Sequence, residues 1–198
     1  MIKLLHAADF HLDSPFSGLS PDQAALRRRE QRQLLGALVE LCNANSCDLM
    51  LLAGDLFDSD NAYPDTIEAM QRAFAACAAQ IVIAPGNHDY AASGSAYRTA
   101  QWPENVHIFT ENTVSAFEFP SLGCRIYGAA FTSPQENGLL EGFRAKQDGL
   151  VNLMVLHGDA LNAAGGYNSV SKEQIAASGL RRAKHKKQSN REKINSYT

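Results

Sequence analysis

The sequence predicts an α/β fold with a parallel sheet whose carboxyl-end rim carries the chemistry, and three observations lead there. Short apolar runs alternate with longer stretches of helical periodicity, as βα units do. Four of these runs, residues 2–5, 49–53, 81–84 and 150–156, stop at a loop holding Asp, Asn or His, and such strand-end loops are where open α/β sheets keep their sites. Two further strand patterns, residues 113–119 and 124–127, flank Pro120-Ser121-Leu122-Gly123 and predict an antiparallel hairpin in a second sheet.

Taken in order, residues 2–5 lead into Asp9-Phe10-His11. Being two apart, Asp9 and His11 can point the same way. Ser20, Pro21 and Gln23 combine an N-cap, a proline at the first helical position and a capping-box partner. In the helix that follows, Leu26, Leu34, Leu35, Leu38, Val39, Leu41 and Cys42 recur at helical spacing, and Arg27, Arg28, Arg29 and Arg32 make a solvated face. Leu49-Met50-Leu51-Leu52 is a continuous apolar run suited to a strand buried on both faces, and it ends in Gly54-Asp55-Leu56-Phe57-Asp58. Residues 65–79 read as a helix with Ile67, Met70, Phe74 and Cys77 turned inward. Ile81-Val82-Ile83-Ala84 is stopped by Pro85 and opens into Gly86-Asn87-His88-Asp89.

A short helix is expected over 95–101, and a strand over 106–109 in which His107 alternates with apolar neighbours and serves structure. After the hairpin, a helix is expected over 136–146, then a strand over 150–156 ending in His157-Gly158-Asp159. Residues 171–179 suit a last short helix closed by Gly179. From Arg181 onward apolar periodicity is lost, which predicts a basic disordered tail over 181–198 behind one domain of residues 1–180.

The composition, 45% hydrophobic and 20% charged over 198 residues, is that of a single globular domain. No apolar run approaches the length of a membrane span, and Met1-Ile2-Lys3 opens straight into a strand pattern, so a cytoplasmic protein without a membrane partner is expected. Cys42, Cys47, Cys77 and Cys124 form neither a CxxC pair nor a disulfide framework and read as reduced, structural thiols. The net charge of -3 is uneven: residues 181–198 hold seven Lys/Arg against one Glu, so the remainder is strongly acidic. An acidic body suits nucleic acid only where its carboxylates gather around cations that reverse the local field.

Each polar loop alone is the kind of sequence turns select. In series, Asp9 and His11, Asp55, Asn87 and His88, and His157 follow four strands that βα connections lay side by side, where they converge on one rim. Carboxylates, an amide oxygen and neutral imidazoles without a thiolate suit Mn, Fe or Zn better than Mg or Ca. Asp55 is placed to bridge two cations about 3.5 to 4 Å apart, a pair that lowers the pKa of bound water and clamps a phosphoryl group. His88, beside Asn87, is a candidate general acid.

Asp9-Phe10-His11, Gly54-Asp55, Gly86-Asn87-His88-Asp89 and His157-Gly158-Asp159 resemble, in this order, the signature of the calcineurin-like metallophosphoesterase superfamily. The resemblance covers residues 1 to about 180. Within it, His6-Ala7-Ala8-Asp9-Phe10-His11-Leu12, Gly54-Asp55-Leu56-Phe57-Asp58, Gly86-Asn87-His88-Asp89 and Trp102-Pro103-Glu104-Asn105-Val106 are similar to the SbcD-like DNA repair exonucleases. This resemblance implies a four-layer α/β/β/α sandwich with two divalent metal ions, usually Mn. Asp9 and His11 would hold the first metal, Asp55 would bridge, Asn87 with His157 would hold the second, His88 would protonate the leaving oxygen and Asp58 would orient His88. DNA as substrate, an SMC-type ATPase as a partner and a homodimer are implied with it.

Where the family has a further strand ending in Gly-His-x-His, this chain has Arg181-Arg182-Ala183-Lys184-His185, so a truncated form with weakened activity is expected. The alternatives left open by the sequence are a small-molecule phosphoesterase and a non-catalytic binding domain of the same fold.

Overall fold

The computed structural model describes residues 1–160 and 167–180 in full, together with the backbone of residues 185–186 and 195–197. The central sheet is built from β1 (Leu4–Ala7), β2 (Leu49–Ala53), β3 (Gln80–Ala84) and β4 (Val106–Ile108), with β8 (His185–Lys186) and β9 (Asn195–Tyr197) at its other side. The order is β4-β3-β2-β1-β9-β8, and β1 to β4 are parallel. A second sheet has the order β5-β6-β7, formed by β5 (Ser115–Phe119), β6 (Cys124–Gly128) and β7 (Val151–Val155). The predicted hairpin is present, with β5 antiparallel to β6 and Gly123 at φ 64 closing the turn, while β7 joins β6 in parallel.

Helices α1 (Pro21–Ala44) and α2 (Pro64–Ala75) cross between the parallel strands. Leu35, Val39 and Cys42 of α1 and Met70 and Phe74 of α2 pack on Leu5, Met50, Leu52, Ile81 and Ile83. The alternate residues of the same strands, Leu4, Leu49, Leu51, Val82 and Ala84, face the second sheet and meet Phe119, Cys124, Ile126 and Val155. The apolar run of β2 is thus buried on both faces, as its composition requires. The first three of the four layers expected from the sequence are present, as helices, sheet and sheet. On the outer face of the second sheet, a short helix (Lys172–Ala177) and an irregular segment take the place of a full helical layer: Ala145 N–H donates to the Ser178 carbonyl at 2.8 Å, Lys146 N–H to the Tyr127 hydroxyl at 3.1 Å.

Capping of α1 follows the sequence: Ser20 and Gln23 exchange side chain to backbone hydrogen bonds across the first turn. Its apolar stripe is narrower than expected, since Leu26 and Leu34 are each 51% exposed. At about 100° per residue, Leu26 stands opposite Leu35, and Leu34 lies a quarter-turn off the Leu35-Val39-Cys42 line. Among the arginines, Arg32 is not simply solvated: it donates to Asp13 at 3.4 Å and to the Thr66 hydroxyl at 3.1 Å.

One expected element is corrected. No helix forms over 136–146, because Gly138 and Gly142 adopt φ 69 and 68, left-handed conformations that end a right-handed helix and here make consecutive turns. Within 181–198 the described pieces are β8 and β9, with β9 antiparallel to β1 and Leu4 opposite Tyr197. Pairing at a sheet edge uses backbone N–H and C=O groups and needs no apolar pattern. The rest of 181–198 lies outside the described residues.

Candidate metal centre

The loops after β1 and β2 run side by side and continue the strands' hydrogen bonding beyond their ends. Asp9 N–H donates to Gly54 O (3.1 Å), His11 N–H to Asp55 O (3.0 Å) and Leu12 N–H to Leu56 O (2.8 Å). Asp9, His11 and Asp55 all have positive φ, at 58, 46 and 52. Left-handed backbone at non-glycine residues costs on the order of 1–3 kcal/mol each and clusters where side chains must be aimed. The close fit also dictates the glycines: a Cβ on Gly86 would lie 2.2 Å from Asp55 Oδ1, and one on Gly54 would lie 2.5 Å from His157 Nδ1.

The structure brings Asp9, His11, Asp55, Asn87, His88 and His157 to one rim. His11, Asp55 and His88 form one group of mutually close ligand atoms, and Asp9, Asp55 and His157 another, with Asp55 common to both. The division differs from expectation, since Asp9 falls with His157 and not with His11. Residues 9 and 11 sit in a left-handed loop, where the same-side rule for strand residues two apart does not hold.

Asp55 is 5% exposed. Its Oδ1 accepts the His88 backbone N–H at 3.1 Å. Its Oδ2 faces His157 Nε2 at 3.5 Å and His11 Nε2 at 3.9 Å. His157 Nδ1 lies 2.9 Å from the Ala53 carbonyl, which only accepts, so Nδ1 carries the hydrogen and Nε2 presents a lone pair. His11 Nδ1 is held in the same way by Asp58 Oδ1 at 3.1 Å, again leaving Nε2 free. His157 Nε2 also meets Asn87 Oδ1 at 3.1 Å. With both imidazoles neutral, acceptors face acceptors here, an arrangement that a cation in their midst would satisfy. Donors about 2.0–2.2 Å from a shared ion lie roughly 3–4 Å from one another, so the spacing fits a divalent cation held by oxygen and imidazole donors.

The role expected for Asp58 is corrected. Its carboxylate meets His11, and His88 Nδ1 reaches only the Asp58 backbone carbonyl, at 3.2 Å. Carboxylate to histidine is the outer support that metal-ligating imidazoles usually have. His88 is exposed, with its ring edge-on to His11 at 4.9 Å between centroids.

Two supporting residues escaped sequence reasoning. Asn168, fully buried at φ 30, donates from Nδ2 to the His157 carbonyl at 2.7 Å and accepts the Leu139 N–H at 3.0 Å, fixing the loop that presents His157. No motif marks it; burial alone makes it matter. Asp89, 1% exposed, stands within a motif that drew attention to its neighbours, and it accepts hydrogen bonds from both metal-site loops. Burial pushes its carboxyl above the usual range, against the Tyr97 hydroxyl and backbone N–H groups that pull it down.

Among known proteins, the chain is 31% identical over 195 residues to YhaO, an uncharacterized metallophosphoesterase of Bacillus subtilis, covering 90% of this chain and 46% of that one. It is 33% identical over 115 residues to the D subunit of the SbcCD nuclease of Rhodobacter capsulatus, covering 54% of this chain and 26% of that one. It is 27% identical over 146 residues to the D subunit of the SbcCD nuclease of Bacillus subtilis, covering 71% and 36%. The chain therefore spans less than half the length of these relatives. A family model of calcineurin-like phosphoesterases, enzymes that use divalent metals, matches residues 2–185, and the chain belongs to that family.

Proposed function

We propose that this chain carries the dinuclear centre of a metal-dependent phosphodiesterase that acts on DNA in repair, as a cytoplasmic nuclease of the SbcD kind. The observation that carries the reading is the convergence of His11 Nε2, His157 Nε2 and Asn87 Oδ1 with the buried Asp55 carboxylate, all acceptors. Asp9, His11, Asp55, Asn87 and His157 would hold the two ions, with Asp55 common to both and manganese the best match to the donors. When bound, the ions supply an ionised water and a clamp on the phosphoryl oxygens. The protein's own part is to aim Asp55 between both sites, to hold each imidazole by its Nδ1, and to present His88 at the surface, where it gives a proton to the departing oxygen.

A nuclease activity is supported by the similarity to the two SbcCD nuclease subunits, while DNA as substrate, an SMC-type ATPase as partner and a homodimer rest on the motif resemblance of Asp9-Phe10-His11, Gly54-Asp55 and Gly86-Asn87-His88-Asp89. Among the described residues, no helix is long and apolar enough to cross a membrane. Asp55→Asn is the direct test. It is expected to abolish hydrolysis of DNA and to lower the occupancy of both ions, measured as manganese per chain. Two tightly held manganese ions in that variant would remove Asp55 from the bridging role.

A further inference from the structure

Behind the rim lies a buried pair that touches no reacting atom. The Asp89 carboxylate accepts the backbone N–H groups of Asp55 (3.0 Å), Leu56 (2.7 Å), Phe57 (3.3 Å) and Gly86 (2.7 Å). The Tyr97 hydroxyl, on a side chain 5% exposed, donates to the same carboxylate. Successive backbone N–H groups turned toward one anion make a nest, the concavity that elsewhere holds phosphates or iron–sulfur clusters. Here the chain's own carboxylate fills it. The nest needs the left-handed turn at Gly54 and Asp55, φ 79 and 52, and so the anion that fills the nest favours the very backbone that aims the Asp55 side chain.

Tyr97 in turn packs against two rings, Phe57 at 5.6 Å and Trp102 stacked at 6.4 Å between ring centroids. Its hydroxyl meets Oδ2, the oxygen that also accepts Leu56 and Phe57. With the hydroxyl gone, that oxygen keeps only backbone partners, and the carboxylate is freer to swing out of register with the nest.

We propose that Asp89, clamped by Tyr97, is the positioning pair for the bridging carboxylate: it holds Asp55 in the left-handed conformation that points Oδ2 between His11 and His157, and so sets the affinity of the rim for divalent cations. The inference rests on the metal-centre reading above. Outer partners of metal ligands commonly contribute about 10 to 100-fold in affinity. A residue that merely stabilised the fold would lower the melting temperature and leave the affinity of the folded protein unchanged.

The experiment is a manganese titration by calorimetry of the wild-type chain, Tyr97→Phe and Trp102→Phe, each below its melting temperature, with amide exchange at Leu56 followed in the absence of metal. Tyr97→Phe keeps the ring and is expected to bind manganese about 10-fold more weakly, with faster exchange at Leu56. Trp102→Phe keeps the hydroxyl and is expected to melt lower at wild-type affinity. Asp89→Asn, which turns an amide N–H₂ toward the nest, serves as a second variant and is expected to lose more than Tyr97→Phe. Wild-type affinity in Tyr97→Phe overturns the positioning role, as does an equal loss in Trp102→Phe. Failure of both Tyr97→Phe and Asp89→Asn to fold would make the pair a fold element and overturn it too. A wild-type chain that takes up no manganese sinks the metal-centre reading itself, a result distinct from a wild type that binds beside an unaffected variant.

Discussion

The chemistry of His88 turns on which ring nitrogen is free. Its Nδ1 faces the Asp58 carbonyl at 3.2 Å, an acceptor, so Nδ1 carries a hydrogen and Nε2 is left to hold or release a proton. His88 also lies within reach of His11 and Asp55, so the same ring has the position of a ligand. His88→Ala separates the two roles. A general acid contributes typically 10²–10⁴-fold, so DNA hydrolysis should slow by roughly 100-fold or more at unchanged manganese content, while a p-nitrophenyl phosphodiester, whose leaving group departs without a proton, should be spared. Equal loss on both substrates would make His88 a binding residue, and loss of manganese would make it a ligand. The sequence brings His88 and Asp58 into view but pairs the wrong atoms. Asp58 lies three residues after Asp55, and nothing in that spacing reveals that its side chain turns to His11 while only its carbonyl turns to His88.

At the level of elements, periodicity and punctuation are what the sequence makes legible. The capping box of α1, the doubly buried β2, and the hairpin at Gly123 follow from local rules. The helix expected over 136–146 does not form because Gly138 and Gly142 take left-handed backbone, which apolar spacing alone does not reveal. His107 serves structure, as its alternation with apolar neighbours implies: on β4 it packs against Phe117 at 5.3 Å and Phe119 at 5.1 Å, with Nε2 against Gln80 Oε1 at 2.7 Å. Burial lowers its pKa, so the folded chain binds a proton less readily than the unfolded chain, whose histidine titrates near about 6.5. The contribution is full above that value and is lost as the pH falls through it toward the lower folded pKa. Denaturation followed from pH 8 to 5 should show this loss, and His107→Phe should reduce the slope. An unchanged slope in that variant would place the titrating group elsewhere.

At the scale of the whole molecule, the parallel strands β1, β2 and β3 carry their loops to one rim, and β7 of the second sheet brings His157 across the sandwich to the same place. The rim is rich in carboxylates, and the strongly basic stretch of the chain is 181–198, with seven Lys/Arg against one Glu. Its described backbone includes β9, which pairs with β1, the strand that leads into Asp9 and His11. Two consequences can be separated by comparing the full chain with one ending at Leu180. The lost pairing at β1 should lower the melting temperature. The lost charge should weaken DNA binding through counterion release, which gives a slope near about −0.9 per neutralised phosphate in a plot of log affinity against log salt on duplex DNA. The shortened chain should therefore bind DNA more weakly at low salt with a shallower slope, and the two chains should converge as salt rises. Manganese affinity should stay the same, because every ligand of the proposed centre lies at or before His157. A marked loss of manganese on shortening would show that residues 181–198 support the centre, through the pairing of β9 with β1 or through His185, and equal salt slopes in the two chains would show that the basic stretch makes no phosphate contact.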